Sequence, residues 1–411
     1  MFEFGRDLRK LFDKARESED LGWVELIGVD LLHAEARRES VDAGRVSCRR
    51  PFETERRAGG LWREHARRTG AADSLDRADR AAESLGRLAG SDDQRVLAGV
   101  DRALTLTLRF DLCGDPRRLH QALQALASVG PARRGWVAAE AAVAEALVKA
   151  RLARLSGDPE EMQTAASLLD GAVQAAAARG LACADDLRLE RAALALEAGV
   201  IQRDGRLLDQ AGRDLSALAE VFTPERRPLS RARVLSLCGA GLSALAAAAR
   251  HPEAQAQGRT MFRAAAEQFT PDHSPLDWAA IQVAQSGEAD APLMPLIQAE
   301  ALTQGQGLVL GALARERRLA REIALAADVG DRAGLDQIEA RLRERLPRSG
   351  AAPLDWAADQ LGMARLGLAR RALGGSEPVA LHLVLTEVEA AAVEMGAPAL
   401  AARAIELRAP A

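Results

Sequence analysis

An all-α fold is what this sequence predicts, and three observations predict it. The 411 residues include 87 alanines but only 8 phenylalanines, 5 tryptophans and no tyrosine. Ala, Leu, Arg and Glu are good helix formers, while the β-branched and aromatic residues that stabilise sheets are sparse. Helix-stop and helix-start residues recur along the chain with a period of about 45 residues. Finally, one six-residue block occurs twice, letter for letter.

The elements follow in chain order. Phe4, Leu8, Leu11 and Phe12 fall on one side of a first helix, with Arg6, Arg9, Lys10 and Lys14 mostly elsewhere. Asp7, Asp13 and Glu17 dilute that positive charge, so the apolar side is expected to dock on the next helix rather than on a membrane. Helices are expected near residues 21–38 and 53–69, with a loop from Asp42 to Pro51 between them. Residues 1–90 fit the repeat period poorly and read as an atypical N-terminal helical cap, which terminal units need because they face water.

Residues 91–270 carry the repeat. Trp136–Leu155 and Glu160–Ala178 read as two helices separated by Ser156-Gly157-Asp158-Pro159. Glycine stops the first helix in a left-handed conformation, aspartate caps the second, and proline fits its first turn. The same signature opens at Gly114-Asp115, Arg203-Asp204 and Gly330-Asp331. Apolar residues fall 5, 8 and 12 positions after the first turn residue in all four: Leu119, Ala122 and Leu126; Met162, Ala165 and Leu169; Leu208, Ala211 and Leu215; Leu335, Ile338 and Leu342. Spacings of three and four put each trio on one helical stripe. Gly114, Gly157 and Gly330 are therefore structural anchors of the repeat.

The duplicated block opens a different helix of the unit. Pro275-Leu276-Asp277-Trp278-Ala279-Ala280 is repeated as Pro353-Leu354-Asp355-Trp356-Ala357-Ala358, and Pro228-Leu229-Ser230-Arg231-Ala232-Arg233 reads as a degenerate copy. Proline sets the helix start, aspartate meets the positive end of the dipole, and tryptophan is a wedge between adjacent hairpins. Trp278 and Trp356 are thus two further repeat anchors. Ser286-Gly287-Glu288-Ala289-Asp290-Ala291-Pro292 and Gly305-Gln306-Gly307 interrupt the helices, so 271–307 reads as an irregular bent junction and 308–411 as a C-terminal repeat segment.

With these blocks and turns the chain resembles the tetratricopeptide-like helical repeat superfamily, in particular bacterial variants whose units open with a proline-leucine-aspartate-tryptophan-alanine block. Leu361-Gly362 matches the leucine-glycine pair of such units, although the period here exceeds their usual length of about 34 residues. The resemblance covers residues 91–411. It implies a right-handed αα-solenoid of roughly eight hairpins, and a protein-binding role.

Composition narrows the function. With 55 basic and 59 acidic residues the net charge is −4, so no global field draws the chain to nucleic acid or anionic lipid. The four cysteines, Cys48, Cys113, Cys183 and Cys238, form no CxxC pair and suit a reducing cytoplasm. The N-terminus lacks a basic region followed by an apolar stretch, and no uninterrupted run of about 18 apolar residues occurs, so neither a secretory signal nor a spanning helix is expected. His33, His65, His120, His251, His273 and His382 are scattered without a zinc-binding spacing. His273, Ser274 and Asp277 adjoin in sequence, which does not make a catalytic relay. Gly305-Gln306-Gly307 follows a helix rather than the strand a dinucleotide loop requires.

No catalytic residue, metal site or cofactor is expected. One charged stretch stands out: Arg45–Arg68 holds eight arginines against three glutamates. Arg49, Arg50, Arg56, Arg57 and Trp62 are the candidate partner-binding residues, as a basic patch with a stacking ring. A solvated helix face with Trp62 in the core explains the same letters. The expectation is a cytoplasmic, non-enzymatic scaffold or adaptor that holds a peptide or helix of another protein in a groove. The alternative is a regulatory module that binds a ligand or nucleic acid through the N-terminal basic patch.

Overall fold

The structure, a computed structural model, describes residues 22–286, 292–349, 352–375 and 381–409. Eighteen α-helices and no strand occur among them. The chain is all-α, as its composition predicts. The helix expected from Phe4 to Phe12 and most of the break from Ser286 to Pro292 lie outside the described residues.

The chain divides into two compact units. Unit 1 takes residues up to Leu108 and then Leu119–Ser274; unit 2 takes Arg109–Arg118 and the chain from Pro275 onward. Unit 1 opens with a tight 3-10 turn, Gly22–Leu26, and then α1 (Val29–Ala43), α2 (Pro51–Thr69) and α3 (Ala72–Leu88). The first described α-helix thus begins at Val29 and not near residue 21: Gly28 is extended, with φ −69° and ψ 166°, and separates the 3-10 turn from α1. Next come α4 (Asp92–Cys113), whose last residues count with unit 2, and α5 (Arg117–Ala127). Unit 1 continues with α6 (Gly135–Ser156), α7 (Pro159–Ala178), α8 (Ala184–Gln202), α9 (Gly205–Val221), α10 (Pro228–Ala249) and α11 (Pro252–Ala266). Unit 2 holds α12 (Pro275–Gln285), α13 (Leu293–Thr303), α14 (Val309–Asp328), α15 (Arg332–Ser349), α16 (Pro353–Ala372), α17 (Leu381–Glu394) and α18 (Pro398–Arg408).

Neighbouring helices pack as pairs, and many helices also touch the next but one: α6 with α8 and α8 with α10 in unit 1, α12 with α14, α14 with α16 and α16 with α18 in unit 2. The core is correspondingly a series of clusters that each join neighbouring helices. Val143, Ala150, Met162, Leu169, Leu187 and Leu194 join α6, α7 and α8. Leu189, Ala192, Leu215, Leu218, Phe222 and Val234 join α8, α9 and α10. Alanine at the contacts lets the backbones approach closely, so burial is spread over many small side chains rather than a few large ones.

Ten of the twelve stripe residues predicted after the four turns are buried, while Leu126 and Leu208 are half-buried. Each turn aspartate caps the next helix. Asp158 accepts from the Glu160 amide at 2.7 Å, Asp204 from Arg206 at 2.8 Å, Asp331 from Gly334 at 2.9 Å and Asp115 from Arg117 at 3.3 Å. Helices begin at all three prolines of the hexapeptide copies, Pro228, Pro275 and Pro353. Half-buried Trp278 packs beside Ala279, Ala299 and Ala314, and half-buried Trp356 packs on the cluster of Ala312, Leu354, Leu385 and Leu400.

Gly114, Gly157 and Gly330 have φ of 77°, 64° and 67°, a left-handed backbone that costs a side-chain-bearing residue about 1–2 kcal/mol. At Gly157 and Gly330 an added Cβ meets open space; at Gly114 it runs into the Met395 carbonyl oxygen. Gly114→Ala is therefore expected to destabilise unit 2 clearly more than Gly330→Ala does. Thermal unfolding of the two variants checks this, and equal losses would disprove the close approach.

Candidate functional site

The arginine-rich stretch does not present one basic face. Arg56 on α2 reaches Asp101 of α4 at 2.7 Å and also pairs with Glu140 of α6, and Arg63 reaches the other Asp101 oxygen at 2.6 Å. Burial disfavours the Arg56 charge, but Asp101 and Glu140 outweigh it and raise its pKa. Arg67 and Arg68 share Glu64, each at 2.7 Å. Arg45 pairs with Asp42 at 2.8 Å. Arg57 is half-buried. Arg49 and Arg50 are exposed and form no ion pair among the described residues. Trp62 is only 1% exposed, so its ring is not open for stacking. The five candidate partner-binding residues are thus not brought together. Neutralising Arg49 and Arg50 together is expected to change stability by no more than about 0.5 kcal/mol, as measured by urea unfolding.

What the fold does assemble is a wall of paired charges along the even-numbered helices of unit 1. It runs from Arg56, Asp101 and Glu140 to α6 and α8, where Arg151 meets Glu190 at 2.8 Å and Arg154 meets Glu190 at 3.2 Å and Glu197 at 2.9 Å. Burial alone would raise the Glu190 pKa; Arg151 and Arg154 instead bring it down to about 2. The wall ends just before α10, where Arg227, the N-cap residue of this helix, meets Asp186 of α8 at 2.7 Å. Burial pushes the Asp186 carboxyl up, and Arg227 offsets only part of this.

At that end the wall holds a segment of the protein's own chain, Gly22-Trp23-Val24-Glu25-Leu26-Ile27-Gly28. The Glu25 carboxylate accepts from Arg227 Nε at 2.7 Å, from the Ser230 amide at 2.9 Å and from the Ser230 hydroxyl at 2.5 Å. Burial opposes ionisation of Glu25, but Arg227 and the two Ser230 bonds win and hold its pKa below the usual range. The carboxylate also meets the N-terminus of α10, where the helix dipole favours negative charge. Arg68 is fully buried and donates to the carbonyls of Val24 and Ile27, both at 2.9 Å. His273 Nε2 donates to the Glu25 carbonyl at 2.7 Å, and the Val29 amide donates to the Asp272 carbonyl at 3.1 Å. Val24 and Ile27 insert into a pocket of Leu32, Ala36, Leu61, Trp62 and Ala78.

His65 lies beside this pocket, hydrogen-bonded through Nδ1 to the Ser74 hydroxyl at 2.9 Å. Burial, then His33 and Arg68, lower its pKa from 6.5 to about 4, against smaller pulls from Asp30 and Asp73. The unfolded chain therefore binds a proton here that the folded chain refuses between pH 6.5 and 4. The contribution to stability is complete above pH 6.5 and falls as pH drops through that window, by about 3 kcal/mol in all. Wild type and His65→Gln, unfolded in urea from pH 7 to 4, test this: the variant should show a flatter limb, and identical slopes would disprove it.

Unit 2 has its own buried charges. Glu300 of α13 pairs with Arg315 at 3.1 Å and with Arg318, both on α14; Arg315 also reaches Asp355 of the second hexapeptide at 3.0 Å. Asp359 is fully buried, with Arg345 at 3.7 Å and Arg315 at 4.0 Å, and burial raises its pKa despite them. No group of three or more metal-ligating side chains occurs among the described residues.

Sequence reasoning did not single out Glu25, Arg68, Arg227, Ser230 or His273 as one site, because they are spread over about 250 residues of chain. Two signals in the sequence bear on it. Gly22–Gly28 is a glycine-bracketed apolar heptapeptide around a single glutamate, and Ser230 stands where the other hexapeptide copies carry aspartate. Comparison with known proteins finds no matching family model and no matching curated protein.

Proposed function

We propose that the paired helices of each unit stack as tetratricopeptide-like, right-handed solenoid segments, and that the protein is a non-enzymatic scaffold or adaptor that binds a peptide or helix of a partner protein. The observation that carries this reading is the wall of arginine–carboxylate pairs on the even-numbered helices of unit 1. A hairpin array exposes one set of helices along a common surface, and a lining of half-buried fixed charges selects a partner by charge-assisted hydrogen bonds. The contacts of α6 with α8 and of α8 with α10 support the same stacking. The basic-patch alternative has less support, since Arg56, Arg63, Arg67 and Arg68 are engaged with carboxylates.

The test is binding of a displayed peptide library by the purified full chain and by Glu197→Lys, which alters the more exposed side of the Arg154 pair. Selected peptides should bind the wild type at physiological salt and lose about tenfold or more in affinity for the variant. A library that yields no binder, or binders indifferent to Glu197, would overturn the reading.

A further inference from the structure

The manner in which unit 1 holds residues 22–28 is that of a receptor holding a peptide. Four features separate it from ordinary terminal packing. The segment is gripped by its main chain: Arg68 takes two carbonyls and His273 a third, and such bonds do not depend on side-chain identity. It is read by one carboxylate, which Arg227 and two Ser230 donors receive. It is anchored by two aliphatic side chains, Val24 and Ile27, one before and two after that carboxylate. Finally, the polar receiving groups come from α2, from Arg227 and Ser230 at the start of α10 and from residues 272–273, all distant from the segment in sequence, although the apolar pocket also includes Leu32 and Ala36 of the adjoining α1.

The receptor side is built to be filled. Arg68 is fully buried, and apart from Glu64 its hydrogen-bond acceptors are the two carbonyls of this segment. The helix starting at Pro228 carries Ser230 where its two sister copies carry Asp277 and Asp355. The carboxylate missing from that repeat is supplied by Glu25, from outside the repeat. Leu26, between the two anchors, is 46% exposed, as a non-contacting position of a bound motif would be.

We propose that this surface of unit 1 is a recognition site for a short linear motif, aliphatic–glutamate–any–aliphatic, in a partner protein, and that Val24-Glu25-Leu26-Ile27 is its resident intramolecular occupant. A partner segment of the same chemistry displaces residues 22–28 and takes over their bonds to Arg68, Arg227, Ser230 and His273. This names the partner for the scaffold reading above and rests on it. The cis segment has the advantage of high effective concentration, so the site answers only to a partner that is abundant or held nearby by other contacts.

The experiment uses the full chain and a fluorescein-labelled, end-blocked peptide of residues 22–28. The variant Val24→Ala/Glu25→Ala/Ile27→Ala loosens the resident segment. It should bind the peptide at least about tenfold more tightly than wild type does. A peptide with glutamine for glutamate should bind about tenfold more weakly, and adding Arg227→Ala should do the same. Absence of binding by a triple variant that keeps its helical circular dichroism overturns the proposal, as does binding indifferent to the carboxylate. If the triple variant loses its helicity, hydrogen exchange on the wild type decides: saturating peptide should speed exchange at the Val29 amide, and no change overturns the proposal. Concentration-dependent dimerisation without peptide binding would also overturn it, by assigning the segment to exchange between copies. None of these failures touches the Glu197 test, so the two readings fail separately.

Discussion

Arg68→Ala is expected to cost unit 1 about 3–5 kcal/mol, the range for removing one partner from a buried, hydrogen-bonded charge pair. The guanidinium is completely buried and meets Glu64 at 2.7 Å and the Val24 and Ile27 carbonyls at 2.9 Å. Truncation leaves both carbonyls without that donor in a site with no bulk water, and leaves Glu64 to Arg67. Glu64 would then no longer be held so far below the ordinary carboxylate range; against the opposing effect of burial, Arg67 and Arg68 together lower it. Arg67→Ala is the control. Arg67 is about a quarter exposed and shares the same carboxylate, so its loss should cost no more than about 1 kcal/mol. Native-state hydrogen exchange along Phe52–Thr69 reads unit 1 separately from unit 2, which a single melting curve does not. A loss below about 1 kcal/mol for Arg68→Ala would show that the chain fills the site equally well without it.

Trp62→Ala is expected to cost about 3–5 kcal/mol as well, by a different mechanism. The indole is 1% exposed and packs among Val24, Ile27, Leu32, Ala36 and Ala78. Its Nε1 donates to the Ser40 hydroxyl at 2.8 Å, His33 meets it edge-on at 5.2 Å, and the Arg77 guanidinium lies 4.9 Å from the ring centre. Alanine leaves a cavity that small neighbouring side chains cannot fill. Trp62→Phe should retain most of the burial and lose roughly 1–2 kcal/mol, mainly the Ser40 bond and ring volume. Urea unfolding at pH 7, above the His65 window, separates packing from protonation. Similar losses for Ala and Phe would mean that volume at this position is not what holds the pocket.

The two effects mark where sequence reading succeeded and where it stopped. Periodic features were legible because each repeats a local rule. Gly-Asp turns produce a left-handed stop and an aspartate cap at Gly157-Asp158 and Gly330-Asp331 alike, and the 5-8-12 spacing reports which face meets a neighbour. Helix starts at Pro228, Pro275 and Pro353 were legible for the same reason. The arginine stretch was not, because a count of charges does not say which carboxylates the fold delivers. Asp101 and Glu140, which engage Arg56, are 45 and 84 residues away from it. Glu25 meets Ser230 across 205 residues. No local rule connects such positions; only the stacking of helices puts them side by side. Trp62 was legible as a large ring at helical spacing that could equally stack on a partner or fill the core; Leu32, Ala36 and Ala78 of neighbouring helices, together with Val24 and Ile27, put it in the core.

The order in which a ribosome delivers these partners has a consequence for folding in the cell. Arg68 follows the carbonyls it binds by 41 and 44 residues, whereas His273 follows Glu25 by 248. At about 5–20 residues per second, Arg68 is translated some 2–9 s after the heptapeptide, but the far half of its binding surface arrives about 12–50 s after it. During that interval the nascent chain carries an ionised glutamate whose partners Arg227 and Ser230 do not yet exist. A chaperone, or another polypeptide that can meet Glu25 with two donors, has its best opportunity while the chain is still being made.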